Sequence, residues 1–146
     1  MAQEILHHPN IKLMRGHVSG KVDTATAYHN ISSTARGYSS RCSYYGRAPG
    51  GYTQLDTRML KTMLYIANKK DWTYHVTELA GGSHSRNSRH YAGLAFDVDR
   101  INGVKVNWKN PYYRKFMSIC RARGATEVLG PGDRGHNSHV HVAWPR

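Results

Sequence analysis

The strongest constraint on the fold is a β-hairpin predicted in the second half of the chain. Two runs of alternating apolar and polar residues, GLAFDVDRI and VKVNW, flank the pair Asn102-Gly103. Asn-Gly between alternating runs favours a two-residue turn, because both residues tolerate the positive φ that such a turn requires. The chain is therefore expected to contain at least one pair of antiparallel strands.

One helix is predicted before this hairpin and one after it. In the segment TQLDTRMLKTMLYIANKK, apolar residues recur at helical spacing, and Thr53 is a plausible N-cap. In the second helix, Asn110 is the expected cap and Pro111 the first helical residue. This helix is expected to run through YYRKFMSICRAR and to end at Gly124.

Further strands are predicted from WTYHVTEL, ATEVLG and HVHVAW. Mixed helices and strands with an antiparallel hairpin indicate an α+β fold: a single domain with a small antiparallel or mixed sheet and flanking helices. A length of 146 residues suits one domain. We expect residues 51–146 to form that domain and residues 1–50, whose periodicity is weak, to be an N-terminal arm or extension packed on it.

The charge of the chain favours a polyanionic partner. Lys and Arg number 21 against 9 Asp and Glu, which gives a formal net charge of +12. Nucleic acid, anionic cell-wall polymers and lipid surfaces all fit such a charge. The basic residues are scattered and lack a nucleic-acid-binding signature, so no specific nucleic acid is expected. The apolar runs are too short for a transmembrane segment.

The two cysteines, Cys42 and Cys120, do not form a disulfide framework or a thiolate zinc site. Free, partly buried thiols are the expectation, and one disulfide is the alternative.

Candidate metal ligands surround the first strand of the hairpin. A period of two places Ala95, Asp97 and Asp99 on one face of AFDVD and Phe96 and Val98 on the other. His90 lies just upstream, on a loop that Gly93 allows to turn sharply. In HVHVAW, His139 and His141 likewise share a face. His90, Asp97 and one histidine of the HxH pair would supply the three protein ligands of a catalytic zinc site, which leaves its fourth position open.

These motifs resemble a known peptidase family. SRHYAGLAFDVD, residues 88–99, is similar to the SxHxxGxAxDxD pattern of the M15 family of zinc D,D- and L,D-peptidases. The HVH sequence resembles the HxH motif that this family shares with lysostaphin-like peptidases. The family includes D-Ala-D-Ala carboxypeptidases and dipeptidases, and phage endolysins that cut L-Ala–D-Glu bonds. The resemblance covers residues 51–145 and implies the M15/lysostaphin-like fold.

The resemblance implies a role for each matching position. One Zn²⁺ per chain would be held by His90, Asp97 and His141, and His139 would be the histidine beside it. Ser88 and Asp99 fall on positions that brace the metal-binding loop.

The chain departs from the family pattern in two places. An acidic catalytic base usually stands three positions before the last zinc histidine, where this chain has Ser138. His139 is the expected substitute, and the other candidates are Asp133, Glu78 and His136. The family's substrate-binding arginine has no counterpart in TELAGGS, residues 77–83, so Arg86 or Arg89 is expected to replace it.

The other histidines and the tyrosine cluster carry weaker signals. His84 could touch substrate or be a solvated loop residue. His75 is expected to be structural, and the remaining four are expected at the surface: His7, His8, His17 and His29. A cluster of tyrosines could line a substrate groove or pack over the core: Tyr38, Tyr44, Tyr45 and Tyr52.

The resemblance implies a zinc metallopeptidase that hydrolyses peptidoglycan stem peptides, with a basic surface that binds anionic cell wall. We expect a monomeric endolysin, made in the host cytoplasm without a signal peptide and released to the wall. A secreted carboxypeptidase and a non-catalytic wall-binding module that keeps the zinc site are the alternatives. A nucleic-acid binder, suggested by charge alone, is a third class.

Overall fold

A mixed six-stranded sheet lies at the centre of the computed structural model, which describes residues 1–146. Its strands are β1 (Ile11–Leu13), β4 (Tyr74–Glu78), β5 (Ala95–Ile101), β6 (Val104–Lys105), β7 (Glu127–Leu129) and β8 (Val140–Ala143). The order is β1-β4-β5-β8-β7, and β6 pairs with the end of β5. Only β1 and β4 are parallel. A separate two-stranded sheet pairs β2 (Ser40–Arg41) with β3 (Tyr52–Thr53).

The predicted hairpin is confirmed. β5 and β6 are antiparallel, and the turn between them has φ of 51° at Asn102 and 79° at Gly103. Two successive positive φ angles are typical of the turn that suits the twist of paired strands. The hairpin makes β5 a central strand, since β5 also pairs with β4 and β8.

Both predicted helices form, but each begins later than expected. Helix α3 spans Thr57–Lys69, and its N-cap is Asp56, whose carboxylate accepts a hydrogen bond from the Arg58 amide. Thr53 lies in β3 instead. Helix α4 spans Tyr113–Ala122. Its N-cap is Tyr112 rather than Asn110, although the Asn110 side chain accepts a hydrogen bond from the Tyr112 amide at 2.7 Å just ahead of the helix.

Residues 1–50 are part of the sheet and of the core. Helix α1 (Ala2–Leu6) and helix α2 (Ala27–Ala35) belong to this segment, as does the edge strand β1. Ile5, Ile11 and Ile31 are buried in the same hydrophobic cluster as the helices and strands of residues 51–146. The segment thus shares the hydrophobic core that stabilises the fold.

The prediction of a single α+β domain with a mixed sheet and flanking helices is confirmed. One cluster of 31 buried apolar residues runs through the molecule. Cys42 and Cys120 are both buried and free, as expected. None of the helices has the length and apolar character needed to cross a bilayer.

Candidate metal centre

The paired strands β5 and β8 bring two of the predicted ligands together. Asp97 lies directly opposite His141 in the antiparallel register. The strand residues that alternate with them face the core: Phe96, Val98, Val140 and Val142. Because side chains alternate across a strand, burial of these apolar residues turns Asp97 and His141 to the opposite face.

A short 3₁₀ helix, Arg89–Ala92, delivers His90 to the same place. Ser88 caps this helix, and its hydroxyl accepts a hydrogen bond from the His90 amide at 3.2 Å. Gly93 ends it with φ of 73°, and a Cβ atom there would lie 2.0 Å from the carbonyl oxygen of Gln54. Only glycine fits this close approach. The SxHxxG spacing therefore has a local structural basis in this chain.

Three ligand-type atoms converge at this point. His141 Nδ1 lies 3.0 Å from Asp97 Oδ1 and 3.2 Å from His90 Nε2. His90 Nε2 lies 3.2 Å from the same Asp97 oxygen. All three residues are buried. Such mutual spacing brings one oxygen and two nitrogens within reach of a single small cation.

The outer nitrogen of each histidine has a separate oxygen partner. His90 Nδ1 lies 2.6 Å from the Leu79 carbonyl oxygen, and His141 Nε2 lies 2.6 Å from Glu127 Oε1. Both oxygens accept hydrogen bonds, so both outer nitrogens carry hydrogen. In the neutral rings, the lone pairs of His90 Nε2 and His141 Nδ1 therefore point at the Asp97 carboxylate. Oxygen acceptors behind the outer nitrogens are typical of metal-ligating histidines.

The electrostatics show that the cluster requires positive charge. Burial opposes ionisation of Asp97, but the adjoining His90 and His141 outweigh burial and hold its pKa well below the usual range. Burial also disfavours the charged form of His141, yet hydrogen bonding to Asp97 and Glu127 raises its pKa. Three converging lone pairs are stable only with a bound proton or a metal cation between them.

A third histidine lies against this cluster. The ligand atoms of His84, His90 and Asp97 lie within 4.8 Å of one another, and this buried group could hold a metal ion. The His84 ring stacks on the His90 ring with 3.8 Å between centroids, and His84 Nε2 lies 2.8 Å from the Gly81 carbonyl oxygen. Burial, with a contribution from His90, lowers the pKa of His84 to about 4. His84 is therefore neutral near pH 7.

Two clefts open on either side of the cluster. The arginine cleft, about 620 Å³, is lined by Arg86, Arg89 and Arg146. The carboxylate cleft, about 500 Å³, is lined by Glu78, Asp97 and Asp99, with Lys105 on its wall. The clefts share three lining residues: His84, Asp97 and His139. An extended ligand could therefore pass from one cleft to the other across the cluster.

The structure brings most of the other predicted site residues to these clefts. His139 is half-buried between the two clefts, and burial lowers its pKa below the usual value for histidine. His136 lines the arginine cleft, while exposed Ser138 lines the carboxylate cleft. Asp133 lines neither cleft, and its carboxylate accepts a hydrogen bond from the Gly130 amide.

The predicted bracing and substrate-binding residues have distinct environments. Asp99 Oδ1 is buried without a hydrogen-bond partner, whereas Ser88 contacts the His90 backbone. Arg89 donates a hydrogen bond to the Thr126 hydroxyl at 2.8 Å, so this guanidinium is already engaged. Arg86 is exposed in the same cleft. Arg86 is thus the freer of the two predicted carboxylate-binding arginines.

The prediction that His17 lies at the surface is wrong. Its side chain is fully buried, with Nδ1 at 2.7 Å from Glu78 Oε1 and Nε2 at 2.6 Å from Asp23 Oδ1. Burial opposes protonation of this ring, but hydrogen bonds to Glu78 and Asp23 prevail and raise its pKa to about 8. His17 had no spacing partner in the sequence, because both carboxylates reach it through the fold.

Replacement of His17 with glutamine is expected to destabilise the protein more at pH 6 than at pH 9. A pKa raised from 6.5 to about 8 in the folded state corresponds to about 2 kcal/mol of stability. This stability is fully present below pH 6.5 and is lost as the pH rises through about 8. Urea unfolding of both proteins at the two pH values measures the difference. A destabilisation that does not change with pH would contradict a protonated His17.

Two further cleft residues were missed from the sequence. Glu127 reaches His141 from β7, and Arg146 lines the arginine cleft while donating a hydrogen bond to the Asn87 carbonyl. Alternation in ATEVLG places the Glu127 side chain on the opposite face of the strand from buried Val128. The contact of Glu127 with His141, however, depends on the pairing of β7 with β8. That pairing has no local sequence signal.

Comparison of the chain with models of known protein families, with curated proteins and with solved structures found no match.

Proposed function

We propose that this protein is a zinc metallopeptidase that hydrolyses an amide bond in bacterial peptidoglycan stem peptides. The observation that carries the proposal is the convergence of the lone pairs of His90, Asp97 and His141 between two open clefts. These are the positions that the resemblance to M15 peptidases assigns to zinc. Motif and geometry thus support the same three residues independently.

The donor set suits zinc. Tetrahedral zinc bonds to histidine nitrogen and carboxylate oxygen at about 2.0–2.2 Å, which requires neighbouring ligand atoms roughly 3.3 Å apart. The observed separations of 3.0–3.2 Å need to widen only slightly. Three protein ligands leave one position open, as in catalytic zinc sites. When bound, zinc would supply Lewis acidity that activates water and polarises the scissile carbonyl.

The chain's own residues would bind the peptide and move the proton. His139 lies between the clefts and is neutral at pH 7 because burial lowers its pKa, so it can accept a proton there. Arg86 offers a guanidinium group to a substrate carboxylate in the arginine cleft, and Arg146, which also donates to the Asn87 carbonyl, lines the same cleft. The peptide would then lie across His139 with its carboxyl-terminal side toward these arginines.

The surface charge supports a cell-wall substrate. A net charge of +12 attracts the protein to anionic wall material over distances greater than any direct contact. Of the 9 acidic residues, Glu78, Asp97, Asp99 and Glu127 line the two clefts. The remaining surface is correspondingly more basic. The proposal takes the form of an endolysin acting on the wall, with a secreted carboxypeptidase as its alternative.

Digestion of purified peptidoglycan tests the proposal. We expect new peptide ends, detected by mass spectrometry, with added zinc and none after chelation. The masses identify the bond and separate an endopeptidase from a D,D-carboxypeptidase. Intact peptidoglycan with one zinc bound per chain would overturn the enzymatic proposal. That outcome would favour a wall-binding module, which the exposed Ser138 at the usual acidic position also suggests.

Replacement of Glu127 with glutamine is expected to weaken zinc binding by about 10- to 100-fold. The carboxylate holds His141 Nε2 at 2.6 Å and so orients Nδ1 toward Asp97. Competition with a chromogenic chelator measures the affinity. Asp133→Asn, which alters a carboxylate outside the clefts, is the matched control. Equal affinities for zinc in the Glu127→Gln variant and the parent would show that Glu127 does not orient the ligand.

A further inference from the structure

The carboxylate cleft has a wall that depends on residues 1–50. Tyr74 and Val76 of β4 face the core and pair with Ile101 and Val98 of β5. Simple alternation would send Glu78 into the core as well. The register shifts twice, between His75 and Val76 and again between Val76 and Glu78, and Glu78 pairs with Asp97 instead. This irregularity turns the Glu78 side chain to the face of the sheet that carries Asp97 and His141. Bulges commonly redirect side chains in this way beside active sites.

His17 then holds the Glu78 side chain in place. His17 Nδ1 donates to Glu78 Oε1, and Nε2 donates to Asp23 Oδ1. Asp23 accepts further hydrogen bonds from the Ser43 hydroxyl at 2.7 Å and from the Ala25 amide at 2.8 Å. One buried chain of charge-assisted hydrogen bonds thus runs from the N-terminal segment to the cleft wall.

Two acceptor atoms in this cleft lack good protein partners. The Glu78 side chain is 5% exposed, and the only hydrogen bond to its Oε2 comes from the Val18 amide at 3.5 Å, which is at the limit of a hydrogen bond. Asp99 Oδ1 is buried with no protein donor at all. Buried acceptors without donors are costly, so a ligand that brings N–H groups would be bound selectively.

We propose that Glu78 is a substrate-binding residue that accepts a hydrogen bond from an N–H group of the peptide substrate, and that His17 is its positioning residue. Residues 1–50 therefore complete the substrate site, with Asp99 as a second acceptor in the same cleft. This inference rests on the proposed peptidase function. The N–H donor has two sources, a backbone amide or an ammonium group.

A double-mutant cycle on a soluble synthetic stem pentapeptide tests the inference. In the zinc-loaded protein, Glu78→Gln is expected to raise KM about tenfold with kcat within threefold, since the lost bond forms before the reaction. His17→Gln should raise KM in the same direction. The double variant should be no worse than Glu78→Gln alone, because His17 acts through Glu78. Glu78→Leu, which removes both carboxylate oxygens of Glu78, should raise KM further.

His75→Gln is the matched control, because His75 is a half-buried histidine on the same strand that lines neither cleft. It should leave KM unchanged. Acetylation of the peptide's amines separates the two donors: loss of the Glu78 effect identifies an ammonium, and its retention identifies a backbone amide. Unchanged KM in the Glu78 variants would overturn the inference, as would additive effects of His17 and Glu78, which indicate general destabilisation.

Measurement of the Kd of the same peptide for the same variants separates this inference from the proposed function. Parent protein that binds the peptide without hydrolysis, with Kd raised in the Glu78 variants, would overturn the peptidase and support the subsite. Hydrolysis with unaffected KM and Kd would overturn the subsite alone. Parent protein that neither binds nor cleaves the peptide would overturn both.

Discussion

Replacement of His141 with alanine is expected to release zinc and to abolish hydrolysis of stem peptides. His141 Nδ1 is within 3.2 Å of both other ligand atoms, and no other donor lies as close to the pair. Loss of a direct ligand should exceed the roughly 100-fold effect of losing an orienting partner. Zinc content after gel filtration and release of peptide from purified wall measure the two effects.

His136→Ala is the matched control for this variant. The His136 ring is 5.9 Å from the His141 ring and lines the same cleft, but its Nδ1 is engaged with the Arg134 carbonyl rather than with the cluster. It should retain one zinc per chain. Full zinc occupancy in His141→Ala would remove His141 from the site and leave the group of His84, His90 and Asp97 as the metal-binding set.

Those features of the fold that depend on neighbouring residues were predictable from the sequence. Asn102-Gly103 determines its turn through the two backbone angles alone. The alternation in AFDVD and HVHVAW predicts which side chains leave the core, because burial of Phe96 and Val140 admits only one facing for each strand. Alternation therefore predicted Asp97 and one histidine of the HxH pair as ligands, and the choice of His141 over His139 came from the resemblance to M15 peptidases.

Contacts made through distant parts of the chain could not be predicted. The parallel pairing of β1 with β4 leaves no periodic signal in residues 1–50, yet it carries the chain toward the cleft where His17 meets Glu78. The bulge in β4 places the Glu78 side chain on the opposite face of the sheet from the one that simple alternation predicts. The start of α3 was misplaced for a local reason, since Asp56 and Thr53 are both good capping residues and the sequence alone does not choose between them.

The candidate metal ligands His90, Asp97 and His141 lie between the two clefts, and this position would orient a bound peptide in one direction. Three guanidinium groups line the arginine cleft, beside Asp97 and Glu127, whereas its neighbour is lined by three carboxylates and Lys105, and His139 belongs to both. A peptide with its carboxyl-terminal side in the arginine cleft would offer its preceding N–H groups to the carboxylate cleft. If the protein is the proposed peptidase, this orientation would place the scissile amide beside His139.

Replacement of His139 with alanine is expected to leave zinc binding intact and to lower kcat by about 10²- to 10⁴-fold, the usual range for loss of a general base. His139 lines both clefts and makes no hydrogen bond to His90, Asp97 or His141, so its loss should not disturb the cluster. Burial lowers its pKa, with smaller contributions from His136 and His141, and the opposing effect of Asp97 does not reverse the shift. The ring is therefore neutral at pH 7, and the acid limb of kcat in the parent protein should lie below the usual pKa of histidine. Zinc content and a pH–rate profile on the stem peptide measure both effects, with Ser138→Ala as the neighbouring control that should stay within threefold of the parent. Undiminished turnover in His139→Ala would exclude His139 as the base and direct attention to Glu78 and His136, because Asp133 lies outside both clefts.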